Sequence, residues 1–223
     1  MTKASEKDLS NVPILSDDQE LLRNGICRVP LPPTLDIQKW AQELSQVTPM
    51  IMAGEGDGEY AFYRNILDEP DFPFESILND TSLIGQRIQK HFPIQSLDEI
   101  RLDDAFCVHY NMYQYDSSGA KHMDPSDVTI NMCLEKSDDT EGSHVLFYGT
   151  KKLENVPDSS WNTHNEHQEL FLVLQEPGYA TIHFGDHPHE TISLRKGKRT
   201  NIIMTYCYKD PSRSDVATRN CYG

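Results

Sequence analysis

The chain has 223 residues, of which 37% are hydrophobic and 25% charged, and a formal net charge of −15. That length suits one domain with a sizeable core, and the composition is that of a globular chain rather than a fibrous or disordered one. Its acidity argues against a nucleic-acid partner, which would ask for a basic face, and no stretch approaches the ~20 apolar residues of a membrane span.

Residues 1–16 read as a disordered tail. They begin MTKASEKDLSNVP, without the apolar core of a secretory signal, which points to the cytoplasm or the nucleus. Asp17–Asn24 has a helical look around Leu21 and Leu22, and Gly25 breaks it. Residues 26–29 form a short strand, and Pro30, Pro32 and Pro33 enforce an extended link. Thr34 or Asp36 can cap a helix over 35–47, with Leu35, Trp40, Leu44 and Val47 facing inward. Residues 49–60 hold three glycines and three acids. They lack the GK[ST] of a phosphate loop and read as a mobile loop. Residues 61–75 look like packed irregular chain, and 76–91 like one helix with Ile77, Leu78, Leu83, Ile84 and Ile88 on its apolar side. Residues 17–99 together form a helical support region.

From residue 100 the period changes to that of strands. Candidates are 104–113, 119–123, 128–134, 144–149, 169–175, 178–184, 187–194 and 199–207. Eight short strands with polar turns suggest a double-sheet jelly roll. The fold expected is mainly β, with a core over 100–208 and N-terminal helices, one domain overall. Residues 150–168 are a polar loop, long enough to be functional. Residues 209–223 are a polar tail without an assignable role. The five cysteines are widely spaced and form no CxxC pair. That favours a reducing compartment and cysteines that behave as small hydrophobes.

The chemistry concentrates in residues 107–134. His122 and Asp124 stand two apart on extended chain, so their side chains point to the same side and one metal ion could take both. A third ligand must come from elsewhere. Residues 183–206 offer His183, His187 and His189, all of one parity. Two histidines and a carboxylate with open positions form the facial triad of non-haem iron sites.

The ordered set comprises Tyr113 nine residues before His122, the run DVTINMCL after Asp124, and His189-Glu190 followed by Gly197-Lys198-Arg199. It resembles the Fe(II)/2-oxoglutarate-dependent dioxygenases, in particular the prolyl-4-hydroxylase-like branch, over roughly residues 104–208. The resemblance implies a double-stranded β-helix with helices packed on one sheet. It implies Fe(II) on His122, Asp124 and His189, with 2-oxoglutarate and dioxygen taking the remaining positions. His189 is selected over His187 because the family places its basic cosubstrate partner about ten residues on, where Arg199 stands. Arg199 would hold the far carboxylate of 2-oxoglutarate, with Lys198 and Arg195 as rivals if the register slips. Tyr113 or its neighbour Tyr110 would lie close to the cosubstrate. Asn131, on one strand face with Thr129, would either bond the cosubstrate or satisfy neighbouring backbone. No catalytic residue is implied beyond the metal ligands.

The implied reaction is hydroxylation of a protein side chain such as prolyl, or of a small molecule, with release of succinate and carbon dioxide. The alternative is a catalytically silent jelly-roll module that binds or senses and keeps the metal site. A zinc hydrolase would leave Arg199 without a purpose. Substrate and oligomeric state are not specified by the sequence. Where the family often has Gly-Gly and a later proline, this chain has Gly142-Ser143 and Ser193. These departures bear on the subfamily rather than on the metal.

Overall fold

The structure, a computed structural model, describes residues 9–45, 62–112, 117–156 and 169–219. The loop expected at 49–60 and most of the one at 150–168 lie outside the described residues. In chain order the regular elements are β1 (Ile14–Leu15), α1 (Asp18–Arg23), β2 (Cys27–Pro30), α2 (Ile37–Ser45), β3 (Phe62–Asn65), α3 (Phe74–Ile77), α4 (Leu83–His91), β4 (Ile100–Asn111), β5 (Gly119–His122), β6 (Val128–Lys136), β7 (Val145–Tyr148), β8 (Leu170–Val173), β9 (Tyr179–Phe184), β10 (His189–Thr191) and β11 (Lys198–Tyr208).

They form a six-stranded sheet in the order β2-β9-β6-β11-β4-β3 and a five-stranded sheet in the order β1-β8-β7-β10-β5. All pairings are antiparallel except β1 with β8. This is the double-sheet jelly roll expected from the strand pattern.

Period-two alternation gives the large sheet two unlike faces. Ile130 and Met132 of β6, Ala180 and Ile182 of β9, Ile202 and Met204 of β11, and Ala105 and Cys107 of β4 form one apolar face. Trp40, Ala41 and Leu44 of α2 and Ile84 and Ile88 of α4 pack on it. At about 25 cal/mol per Å2 of buried apolar surface, this layer is the main stabilising contact of the fold. The opposite face carries Thr129 and Asn131, Thr181 and His183, and Arg199 and Asn201, and it looks toward the small sheet. A second, smaller apolar cluster of Leu15, Leu21, Ile26, Val145, Phe147, Phe171 and Val173 closes one end of that space.

The structure departs from the sequence reading in four places. The stretch read as tail contributes β1, which lies alongside β8. The irregular chain of 61–75 contains β3, paired with β4. The strand expected over 187–194 is only three residues long. The single helix over 76–91 is two, because Leu78 is extended at φ −121° and ψ 101°. Asn79 enforces the break: its Oδ1 accepts from the backbone N–H of Thr81 and of Ser82, each at 2.9 Å. Ser82 then caps α4 by accepting from Gly85 N at 3.0 Å. Leu83, read as core, is consequently 52% exposed. Cys27, Cys107, Cys133 and Cys207 are all buried, and none forms a disulfide among the described residues. No helix among the described residues is long and apolar enough to cross a membrane.

Replacing Ser82 by Ala should lower unfolding stability by about 1 kcal/mol, the usual cost of losing an N-cap. Urea unfolding of the variant checks this, and an unchanged midpoint would show that Asn79 alone sets the start of α4.

Candidate metal centre

β5 runs antiparallel to β10 in a register that sets His122 directly opposite His189. Their rings stand 4.5 Å apart. Asp124 lies two residues beyond the end of β5. Its N–H donates to the Gly185 carbonyl at 2.9 Å, and the Gly185 N–H donates to Asp127 O at 3.1 Å. A Cβ at Gly185 would lie 1.9 Å from Ser126 O, so the loop can approach the end of β9 only across a glycine. One ligand atom from each of His122, Asp124 and His189 lies within 4.8 Å of the other two. His122 Nε2 is 3.3 Å and His189 Nε2 3.7 Å from Asp124 Oδ1.

The outer nitrogens fix the tautomers. His122 Nδ1 donates to Ala120 O at 2.7 Å, and His189 Nδ1 donates to His187 O at 2.9 Å. A carbonyl only accepts, so in each neutral ring the proton is on Nδ1 and the Nε2 lone pair points at the Asp124 carboxylate. Lone pairs facing a carboxylate oxygen repel unless a proton or a metal cation lies between them. Rings held by Nδ1 and offering Nε2 are the usual arrangement of metal-binding histidines. The donor set therefore fits a divalent cation.

Titration behaviour agrees with this. Burial pushes His189 down to about 4, so the ring is neutral near pH 7. For Asp124, burial favours the acid form. The neighbouring His189, the hydrogen bond to His122 and the hydroxyl of Thr129 outweigh it and hold the carboxyl well below the usual range. For His122, burial acts downward, but the bonds to Asp124 and Ala120 prevail and move it above 6.5.

The two rival histidines are placed differently. His187 donates from Nε2 to Gly149 O at 3.0 Å and packs on Phe147. His183 is buried, with Nε2 4.0 Å from Asp124 Oδ2, and its Nδ1 donates to Phe184 O at 2.9 Å. Thr129 Oγ1 donates to that same Oδ2 at 2.5 Å and meets the Ser126 hydroxyl at 2.9 Å.

Arg199 is only 2% exposed. Its Nη1 donates to the Ser143 carbonyl just before β7, and its guanidinium stands 5.1 Å from the Tyr110 ring centre. It forms no ion pair among the described residues, and its Nε has no partner. Lys198 instead pairs with Glu135 at 2.5 Å on the outside, and Arg195 is exposed. Asn201, two residues along, donates from Nδ2 to Asn131 Oδ1 at 2.5 Å and to Gln175 Oε1 at 3.0 Å. Asn201 Oδ1 and Gln175 Nε2 are buried without a partner. Among the described residues, the space between the sheets thus holds an uncompensated guanidinium and two unsatisfied amide atoms. Such burial costs free energy unless a ligand completes it. A carboxylate complements the two donors among them, Arg199 Nε and Gln175 Nε2.

Tyr113 lies outside the described residues, and Tyr110 is the tyrosine beside Arg199. Gln175 was missed by the sequence reading. It continues the inward alternation of Phe171 and Val173, and a polar side chain in that position was the available signal.

In sequence this chain is similar to proteins named as 2-oxoglutarate and iron-dependent oxygenases, and in fold to solved structures of such oxygenases. It is 27% identical over 136 residues to the 2-oxoglutarate and iron-dependent oxygenase domain-containing protein ICU11 of Arabidopsis thaliana. That match covers 60% of this chain and 32% of ICU11, so the chain spans about a third of the relative's length. HygX from Streptomyces hygroscopicus, solved with nickel and 2-oxoglutarate bound, superposes with a TM-score of 0.57 at 13% identity, covering 87% of this chain and 88% of that one. A Pseudomonas putida prolyl-4-hydroxylase superposes with a TM-score of 0.54 at 15% identity, covering 86% and 97%. No family model matches the chain.

Because a proton on His122 competes with a metal, and its bonds to Asp124 and Ala120 raise its pKa, Co(II) affinity should be weaker at pH 6 than at pH 8. Asp124 and His189 are already in their ligand forms there. Competition titrations at pH 6 and pH 8 test this, and equal affinities would exclude His122 as a ligand.

Proposed function

We propose that this chain is an Fe(II)- and 2-oxoglutarate-dependent oxygenase that hydroxylates a protein side chain such as prolyl, or a small molecule, and releases succinate and carbon dioxide. The observation that carries this reading is Arg199, a buried guanidinium with no carboxylate partner among the described residues, on the same inner space as the His–Asp–His cluster. A structural arginine would be paired or at the surface. One that waits for an anion beside a metal site suits a cosubstrate with a carboxylate at each end.

In this reading His122, Asp124 and His189 would hold the metal. Bound iron supplies the oxidative chemistry that decarboxylates 2-oxoglutarate and oxygenates the substrate. The protein contributes orientation, charge and exclusion of water. Arg199 binds the far carboxylate through a planar pair of N–H donors. The unpartnered Nε2 of Gln175 supplies a neutral donor nearby, while Asn131 and Asn201 brace one another and keep that wall of the pocket fixed. Tyr110 shields one face of the guanidinium. Tyr113 is a further candidate for the same wall. Thr129 holds Asp124 through Oδ2 and leaves Oδ1 toward the two histidines.

Anaerobic titration of the protein with Fe(II) and then 2-oxoglutarate should produce the visible metal-to-ligand charge-transfer band. His189→Ala should abolish it. Arg199→Ala should raise the 2-oxoglutarate requirement about 100-fold, the equivalent of two charge-assisted hydrogen bonds at about 1.5 kcal/mol each. No band from folded wild-type protein would overturn the assignment. A normal band without succinate formation across peptide and small-molecule substrates would move the reading to a silent binding module.

A further inference from the structure

The C-terminal segment, to which the sequence assigns no role, is tied to the loop that carries Asp124. Arg219 donates from Nη1 to the Asp124 carbonyl at 2.9 Å and to the Ser126 carbonyl at 2.6 Å. One nitrogen thus bridges two carbonyls two residues apart. Its Nη2 is engaged by Asp215, which fixes the fork, and the side chain is only 7% exposed. Ser214 Oγ donates to Asp127 Oδ1 at 2.9 Å in the same loop. From the other side, the Asp127 N–H donates to Tyr206 O at 2.9 Å, and Tyr208 N donates to Asp127 Oδ2 at 2.8 Å.

We infer that Arg219 is a positioning residue for the metal centre: it clasps the turn over residues 124–126 and thereby fixes the direction of the Asp124 carboxylate. The path is short. Arg219 holds the backbone of Ser126, the Ser126 hydroxyl meets Thr129 Oγ1 at 2.9 Å, and Thr129 donates to Asp124 Oδ2 at 2.5 Å. Asp124 is anchored at its own carbonyl by the same guanidinium. Asp124 and Ser126 are both buried, so water cannot replace the lost donor without a rearrangement of the turn. Three ligands bind one ion tightly only when all are pre-aimed, and outer partners of metal ligands are commonly worth about 10–100-fold in affinity. A further anchor of the segment, Arg213, does not itself touch the loop. Arg213 pairs with Glu99 at 2.6 Å and donates to Pro93 O at 2.8 Å, away from the loop.

This inference rests on the metal reading above, and the test separates the two. Co(II) affinity is measured anaerobically on the full chain by competition with a chelating dye, together with the Co(II) absorption spectrum and the melting temperature of the apoprotein. Arg219→Met should weaken Co(II) binding about 10–100-fold and alter the spectrum, with the apoprotein still folded. Arg219→Lys should recover part of the affinity, because an ammonium can bridge the same two carbonyls. Arg213→Met, which loosens the segment elsewhere, should bind Co(II) like the wild type. Wild-type affinity in folded Arg219→Met would overturn the clasp and leave the metal centre standing. Equal losses in Arg213→Met and Arg219→Met would reduce the segment to general stabilisation and also overturn it. Wild-type protein that binds no Co(II) would remove the metal reading and the clasp together.

Discussion

The six-stranded sheet is buried on both faces, and its two faces are chemically opposite. Along β6, β9 and β11, Ile130, Met132, Ala180, Ile182, Ile202 and Met204 face the helix layer, and Thr129, Asn131, Thr181, His183, Arg199 and Asn201 alternate with them on the other face. The apolar face supplies the free energy of folding. The polar face can then be costly in itself, because the helix-covered side holds the strands in place. Buried Arg199 and Asn201 are tolerated on this basis, one register step from Thr200 and Ile202 on the opposite face. A one-residue slip in β11 would exchange the two sets, so the pairing register that stabilises the sheet is also what aims the pocket.

The candidate metal centre is assembled by strand pairing, a tight turn and a neighbouring hydroxyl. β5 and β10 set the two histidines opposite one another by strand pairing. Asp124 comes from a tight turn pressed against Gly185, where any side chain would collide with Ser126. Thr129, at the start of β6, fixes which carboxylate oxygen remains available. Each device is ordinary alone. Together they hold two lone pairs and a carboxylate at one point, which a proton or a metal cation reconciles.

Much of this was legible in the sequence where the pattern is local. The strands after residue 100 are β-branched and alternating, and the His122/Asp124 spacing puts two ligands on one side of the chain. What escaped was non-local. β1 and β3 exist because β8 and β4 offer edges to pair with. The break before α4 follows from Asn79 bonding forward into its own turn, which competes with helix continuation. Parity could not separate His187 from His189. A turn closed by His187 N to Phe184 O sets His187 before the strand and aims it at Gly149. Gln175 meets Asn201 across 26 residues and Arg219 meets Asp124 across 95, separations at which a single sequence carries no pairing signal.

The unpartnered atoms of Arg199, Gln175 and Asn201 have a thermodynamic consequence. A fold that keeps desolvated polar groups unsatisfied is less stable than the same fold with them filled, and any ligand that completes them binds the native state alone. By mass action, a ligand present at 100 times its dissociation constant adds about 2.7 kcal/mol to the unfolding free energy, a sizeable share of the stability of a domain this size. The lifetime of the protein in a cell would then follow the supply of whichever ligand fills that space.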